Sequence, residues 1–451
     1  MSCDCSRRQV VRSLFTGSLL FPAVLQQLLA ESADPLAPHA PHFPAKAKRV
    51  IFMYMPGGVS HVDSFDYKPK LIAAADAKEK NKDGRLYVRP RWEFKPRGQC
   101  GTMVSDLFPH VGDSMDDICL IRSMRGDHND HFQATLGVHT GSVTLARPSI
   151  GSWVSYGLGT ENQNLPSFVV LAPKLPYTGA QAWSSDFLPG CHSGTLVTAG
   201  SDPVPNLARR APTLHIEDLE LGLLGRLNRK HQMSRDSDPA LAARIKTFET
   251  AYGMQMEMPQ VLDLSKESDA TLKLYGLERG STKGFAWQCI VARRLIEHGV
   301  RFIELIDQGA SGNWDSHGDM KDHEPLARNV DQAIAGLLAD LKSRGLLEDT
   351  LVVWTTEFGR TPHADSPNGR THHNSVYSSW MAGGGVKPGM AWGESDDLGY
   401  KVAKDEVHVH DFHATILHLL GFDHTRLTFR HAGRDFRLTD VAGNVVQGIL
   451  A

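Results

Sequence analysis

Histidine is the first residue type to weigh in this sequence. There are 22 copies, against 18 Phe and 13 Met, and neutral imidazole is the commonest protein ligand for transition metals. Several stand beside carboxylates in short polar segments: Asp315 and His317 in NWDSHGD, Glu357 with Arg360 in EFGRTP, and Arg370, His372 and His373 in GRTHHN. His61 and Asp63 follow PGGVS, and GDHNDHFQATLGVHTGS carries His128, His131 and His139. A divalent metal site needs such a mixture, with anionic oxygens for charge and ring nitrogens for directional lone pairs. The expected ligands are His61, Asp63, Asp315, His317, Glu357, His372 and His373, with Arg360 and Arg370 to hold an anion. Each motif alone also fits an ordinary surface loop, and Glu357 could simply pair with Arg360 in a turn. What joins them is their place relative to the strands.

Arg49 to Met55 reads as a buried parallel strand that stops at Pro56-Gly57-Gly58. Phe285, Cys289, Ala292, Leu295 and Ile296 recur at helical spacing before Gly299, and VRFIELI at 300–306 follows as a strand. The unit repeats: Ala327, Val330, Ile334, Leu337, Leu338 and Leu341 share a helix face, Gly345 ends it, and LVVWTT follows at 351–356. A third helix is expected with Asp411 as its N-cap, carrying Phe412, Ile416, Leu419 and Leu420. Helix–strand units in series imply a parallel sheet, and open parallel sheets collect ligands beyond the carboxyl ends of their strands. The candidate residues stand there, after three strands. His131, Thr135 and His139 have i, i+4 spacing, so a helix beginning near Asp130 would present His131 from its first turn as ligand or base. His128 and His139 are expected to be solvated.

A length of 451 residues allows one large α/β domain or two smaller ones. Without repeats or low-complexity stretches in the body, a single domain over 49–451 is the better count, with polar insertions near 72–101 and 177–269. At 41% hydrophobic and 22% charged residues the chain is globular, and 48 basic against 51 acidic residues leave no overall field for nucleic acid. Arg7-Arg8 followed by the uncharged, mostly apolar Ser13 to Ala30 has the layout of a twin-arginine export signal, assigned to 1–33. Pro22, Gln26 and Gln27 interrupt that run, so no membrane span is expected after signal removal. Residues 34–48, rich in Pro, Ala and His, are expected as an extended, poorly ordered linker. The destination is periplasmic or otherwise extracytoplasmic. An oxidising compartment permits disulfides among Cys100, Cys119, Cys191 and Cys289, whose pairing the sequence leaves open.

The segments PGGVSHVDSFDYKP, GSWVSYGLG, NWDSHGD, LVVWTTEFGRTP, GRTHHN, MAGGGVKPGM, DFHATILHLLGFDH and GRDFRLTDVAG span nearly the whole mature chain. Together they resemble an exported bacterial family, domain of unknown function 1501. That family is similar in turn to sulfatases and alkaline phosphatases. The resemblance implies an α/β fold with a mixed, mainly parallel central sheet flanked by helices on both faces, and metals at its carboxyl end. The pattern departs from the superfamily at three places. A VVxTSDHG motif there gives an Asp and a His to metal, whereas VVWTTEFG offers Glu357 and has Phe358 where the His would be. Paired aspartates after the first strand fall on Gly57 and Gly58, leaving His61 or Asp63 to substitute. Counting back from Thr140-Gly141, the nucleophile position of sulfatases falls on His131, which is no hydroxyl or thiol, and Thr135 lies one helical turn away.

Two functions follow as expectations. One is an exported hydrolase of sulfate or phosphate esters, acting on a small-molecule or glycan ester with His131 at the reacting centre and zinc or calcium as its divalent metal. The other is a catalytically inactive sulfatase-like exported protein that binds a glycan or cell-surface component.

Overall fold

Alternating apolar side chains along three strands feed two separate cores, and this alternation is what builds the layers. In the computed structural model, which describes residues 34–200, 202–205, 207, 213–233, 235 and 238–451, the central sheet has nine strands. They are β1 (Arg49–Tyr54), β2 (Ile118–Arg125), β3 (Phe168–Leu171), β4 (Thr195–Val197), β5 (Phe302–Ile306), β6 (Thr350–Thr355), β9 (Tyr377–Ala382), β10 (Met390–Trp392) and β11 (Val407–His408). Between β6 and β9 the chain makes a hairpin of β7 (Gly359–Ala364) and β8 (Arg370–His373). The sheet order is β10-β2-β9-β6-β1-β5-β3-β4, with β11 also pairing to β2. Only β9 runs against its neighbours in this sheet.

Helices cover both faces: α1 (His131–Thr140), α2 (Ile150–Leu158), α3 (Leu214–Met233), α4 (Pro239–Leu262), α5 (Phe285–Glu297), α6 (His323–Ser343) and α7 (Val409–Leu419) are the main ones. Ile51, Met53, Ile303, Leu305, Val352 and Trp354 pack with Leu295 of α5 and Leu337 of α6. The intervening Val50, Phe52, Phe302, Leu351 and Val353 pack with Val138 of α1, Trp153 of α2 and Phe412 of α7. The expected class, a mixed and mainly parallel sheet with helices on both faces, is the one observed.

Several local expectations change. Helix α7 begins two residues before Asp411: His408 caps it by accepting the His410 N–H (3.2 Å), and Asp411, inside the first turn, accepts the His408 N–H (3.0 Å). Residues 34–48 are seated rather than loose. Phe43 N–H donates to Gly421 O, Lys46 and Ala47 N–H to Leu419 O, and Leu36 and Ala47 are buried. The export signal expected over 1–33 lies outside the described residues. Cys100, Cys119, Cys191 and Cys289 are free thiols, and Cys119 and Cys289 are buried in opposite cores. Because β1, β2, β3, β5 and β6 are parallel, the loops that follow them meet at one edge.

Candidate metal centre

The loop after β5 folds back over that edge because its tryptophan is an anchor. Trp314 is fully buried, stacks on Phe108 (6.0 Å between centroids), donates its indole N–H to Asp307 Oδ2 (3.1 Å) and its backbone N–H to Pro56 O (3.1 Å). The next residue is thereby fixed. Asp315 Oδ1 accepts from the Arg360 guanidinium (2.6 Å) and faces Nε2 of His317 at 3.0 Å and of His372 at 3.2 Å, while Oδ2 lies 3.3 Å from Nε2 of His131.

The three imidazoles share one arrangement. Nδ1 of His131 is 2.7 Å from Glu357 Oε1, Nδ1 of His317 is 2.6 Å from Asp365 Oδ2, and Nδ1 of His372 is 2.7 Å from the carbonyl oxygen of Asn129. Ionised carboxylate and carbonyl oxygens only accept, so each Nδ1 carries a proton and each Nε2 is turned inward. Nε2 of His317 and His372 are 2.9 Å apart. Two bare lone pairs at that distance repel, and the pair is stable only with a proton or a metal cation beside it. An imidazole whose outer N–H is held by an acceptor is also the usual form of a metal-ligating histidine.

One donor atom each from His131, Asp315 and His372 lie within 4.8 Å of one another. Bonds of about 2.0–2.1 Å in a tetrahedron would set ligand atoms roughly 3.3 Å apart. Nε2 of His131 is buried without a hydrogen-bond partner. On spacing, donor chemistry and that orphaned nitrogen, the residues fit a divalent cation.

His131 is placed by its helix and clamped by aromatic rings. Asp130 caps α1 by accepting the Phe132 N–H (3.0 Å), so His131 stands at the first helical position, where the helix dipole favours nearby carboxylates. Tyr177 stacks on its ring at 4.2 Å and 5°, and Phe358 leans on the other rings, 4.9 Å from His131 and 4.6 Å from His372. Burial opposes protonation of His131, but the facing Asp315 and Glu357 carboxylates outweigh it and raise its pKa to about 9. Burial pushes the Asp315 and Glu357 carboxyls up, and the same His131 contacts, with Arg360 at Asp315 and Gly57 N–H at Glu357, bring both below the usual range.

Glu357, expected as a metal ligand, stands behind His131 instead of beside Asp315. Its carboxylate is fully buried: Oε1 accepts from His131 and from Gly57 N–H (2.8 Å), and Oε2 accepts from Tyr54 (3.0 Å) and Thr356 (3.1 Å) hydroxyls. The hairpin explains the two adjacent histidines. His372 pairs with Arg360 and His373 with Gly359, and neighbouring strand residues point to opposite sides. His372 reaches Asp315, while His373 turns to Tyr400 O (2.6 Å) and stacks on His61 (6.1 Å), whose Nε2 faces Gly399 O (3.1 Å).

Asp63 and Arg370 also depart from their expected roles, because they satisfy each other. Their buried pair (2.7 Å) is completed by Ser60 hydroxyl and Arg91 N–H on the carboxylate, and by Thr361 O and Val88 O on the guanidinium. Arg360, fully buried, donates to Gly58 O (2.9 Å), Gly57 O, Arg370 O (3.2 Å) and Asp315. Neither guanidinium is open to an external anion, and His61, Asp63 and His373 do not join the cluster. Nor is there room for any side chain at Gly57 or Gly58, where paired carboxylates were an expectation. Their φ values are +111° and +78°, and an added Cβ would stand 2.6 Å from Asp315 N or from the Phe358 ring.

The expected exposure of His139 is overturned. It is 1% exposed, with Nε2 on Glu304 Oε1 (2.8 Å) and Nδ1 on Thr135 O (2.7 Å), because Glu304 points from β5 into the layer beneath α1. The Thr135 hydroxyl is equally buried, against Tyr54 (2.7 Å). Tyr177 escaped the sequence reading although it follows β3, so the strand-end rule that singled out Asp315 would have found it. Asp365 and the Asn129 carbonyl carry no such signal.

The chain belongs to the DUF1501 family, described as protein of unknown function, whose model matches residues 47–450. Comparison with curated proteins gives no match. Among solved structures, the chain is similar to PsFucS1 sulfatase from Pseudoalteromonas sp. (13% identity, TM-score 0.37, 89% of this chain and 71% of that one). It is also similar to the alkaline phosphatase from the Antarctic bacterium TAB5 (11%, 0.36, 84% and 99%). A third is the lipoteichoic acid synthase LtaP from Listeria monocytogenes (9%, 0.36, 92% and 80%). Likeness at this level carries no argument about chemistry.

Proposed function

We propose that the protein is an exported, divalent-metal-dependent hydrolase of sulfate or phosphate esters, its substrate a small molecule or a glycan ester. The observation that supports this is the convergence of three anchored imidazoles on one carboxylate at the carboxyl edge of the sheet. His131, Asp315 and His372 would hold the cation with His317 beside them, and two ring nitrogens to one carboxylate favour zinc over the oxygen-rich shell of calcium. A bound cation supplies Lewis acidity towards the ester oxygen and towards water.

The side chains supply the rest. Arg360 fixes Asp315, Glu357 orients His131, and Tyr177 with Phe358 shields the ring faces. His317, 40% exposed, is the imidazole most open to solvent, and its Asp365-held ring can take up or return a proton at Nε2. With Thr135 buried, direct attack by water suits the cluster better than a covalent intermediate on a hydroxyl. Export rests on Arg7-Arg8 and the segment after it. Among the described residues no helix is long and apolar enough to cross a membrane.

The test is metal content after purification without chelator, joined to aryl sulfate and aryl phosphate turnover before and after chelation, with Asp315→Ala and His372→Ala as controls. The expected result is roughly one zinc per chain and turnover lost with the metal or either side chain. A folded protein that takes up no zinc refutes the proposal. The buried Thr135 hydroxyl and the committed arginines favour a second reading, an inactive exported protein that binds a glycan or surface component. A zinc-loaded protein inert on the whole ester panel would decide for it.

A further inference from the structure

Asp307 is a buried carboxyl joined to the cluster through a single side chain. It is the first residue after β5, 2% exposed, and its backbone N–H donates to Tyr54 O of β1 (3.2 Å). Both side-chain partners are neutral: Oδ2 accepts the indole N–H of Trp314 (3.1 Å), and Oδ1 accepts from the Asn329 amide of α6 (2.9 Å). The titratable group that faces it from α5 is the Cys289 thiol, which burial first and the Asp307 charge second keep protonated. No lysine, arginine or histidine among the described residues balances the carboxylate. Burial therefore raises its pKa to about 7, although the Trp314 and Asn329 hydrogen bonds oppose the rise.

The partner it holds gives this costly charge a use. Trp314 anchors the loop after β5, and the next residue is Asp315, the carboxylate on which the three imidazoles converge. An indole N–H can only donate, and an ionised carboxylate is the strongest acceptor it can be offered. Protonated Asp307 keeps both contacts only with its proton on Oδ1 and the Asn329 amide turned to accept it. The bond to Trp314 then loses its charge assistance. We propose that Asp307 is a proton-linked positioning residue: its ionised carboxylate holds Trp314, and through it Asp315, in the geometry that takes a divalent cation, and protonation slackens that hold.

The proposal rests on the cation site described above and adds the residue that tunes it. Asp307 is ionised above about pH 7, so its support is complete there and is lost as pH falls through that value. The imidazoles also release a cation in acid. The comparison is therefore between the wild type and Asp307→Asn, which has the shape of the protonated form and no titration of its own.

The experiment has two readouts. In metal-free protein labelled with 15N-tryptophan, eight indole signals are present, and Trp314→Phe assigns the one from Trp314. That signal is expected to move with a midpoint near pH 7 in the wild type and to stay still in Asp307→Asn. Zinc affinity, read by competition with a chromophoric chelator, should be about 3- to 10-fold weaker in Asp307→Asn than in wild type at about pH 8, and within about 2-fold of it at about pH 6. Trp314→Phe keeps an aromatic ring beside Phe108 but gives Asp307 no N–H, and its gap from wild type should close in acid in the same way. A Trp314 signal that does not titrate, or that titrates equally in Asp307→Asn, overturns the proposal. So does an affinity gap of the same size at both pH values, which is what plain structural support would give. Equal zinc affinities at about pH 8 overturn this proposal alone, whereas a protein that takes up no zinc overturns the metal site and this proposal together.

Discussion

Glu357→Gln separates the electrostatic work of the residue behind His131 from its structural work. The amide oxygen of Gln can still accept from His131 Nδ1 and Gly57 N–H, where Oε1 now stands at 2.7 and 2.8 Å. The amide NH2 would face the hydroxyls of Tyr54 and Thr356, which can turn to accept because each already has another partner, Thr135 and Met55 O. The fold should therefore lose only about 1 kcal/mol. What disappears is the negative charge that makes the ring a better donor to a cation. Removing such an orienting partner typically weakens metal binding 10- to 100-fold, or about 1.4–2.8 kcal/mol. Zinc affinity measured by competition with a chromophoric chelator, alongside a thermal melt of the metal-free protein, reads both quantities. His372→Ala, which loses a ligand outright, should be weaker still. Unchanged affinity in a folded Glu357→Gln protein would show that the carboxylate does not act through His131, and the argument from the anchored imidazoles would fail.

Asp63→Asn should destabilise the metal-free protein by about 3–5 kcal/mol in denaturant melts, because it leaves the fully buried Arg370 guanidinium without its charge partner. Burial alone would raise the Asp63 carboxyl, but Arg370 and the Ser60 hydroxyl hold it below its ordinary value of 3.8. Its folded pKa lies under the unfolded one, so its stabilisation is complete above that value and is lost as pH falls through the folded pKa. The stability gap between wild type and Asp63→Asn should accordingly close in acid. Thr135→Val should keep any ester turnover within about tenfold of wild type, whereas His131→Ala should abolish it. The reverse order would make the threonine a nucleophile.

The order of elements was legible because burial imposes periodicity. Val330, Ile334, Leu337 and Leu341 lie on one face of α6, and LVVWTT is apolar on both sides because β6 is covered on both. The reversal of β9 was not legible, since an alternating strand fits either direction. At the site, the strand-end rule placed Asp315, His317 and His372, but it names a loop and not the direction a side chain takes. His61 and Asp63 also follow a strand, yet the chain there turns into the short helix His61–Ser64 and packs inward. Whether His372 or His373 faces Asp315 depends on the register of β7 against β8, and a shift of one residue would exchange them.

The two arginines show how the scaffold constrains any substrate. Arg360 and Arg370 are anchored on opposite strands of the hairpin that carries His372, and they join it to Gly57-Gly58 and to Asp63. Their charges thus hold the wall of the centre and are not displayed to solvent. Among the described residues that contact Asp315 and the three imidazoles, no guanidinium is free. The negative charge of a sulfate or phosphate ester would have to be met by the cation and by neutral donors. Tyr177 is suited to that part: burial raises its pKa to about 12, keeping the hydroxyl protonated, and its oxygen already accepts from Asn313 Nδ2 (2.9 Å). On the proposed function, the cluster would therefore lean more on a bound cation for anion recognition than a site with an open arginine would, so loss of that cation should remove substrate binding together with turnover.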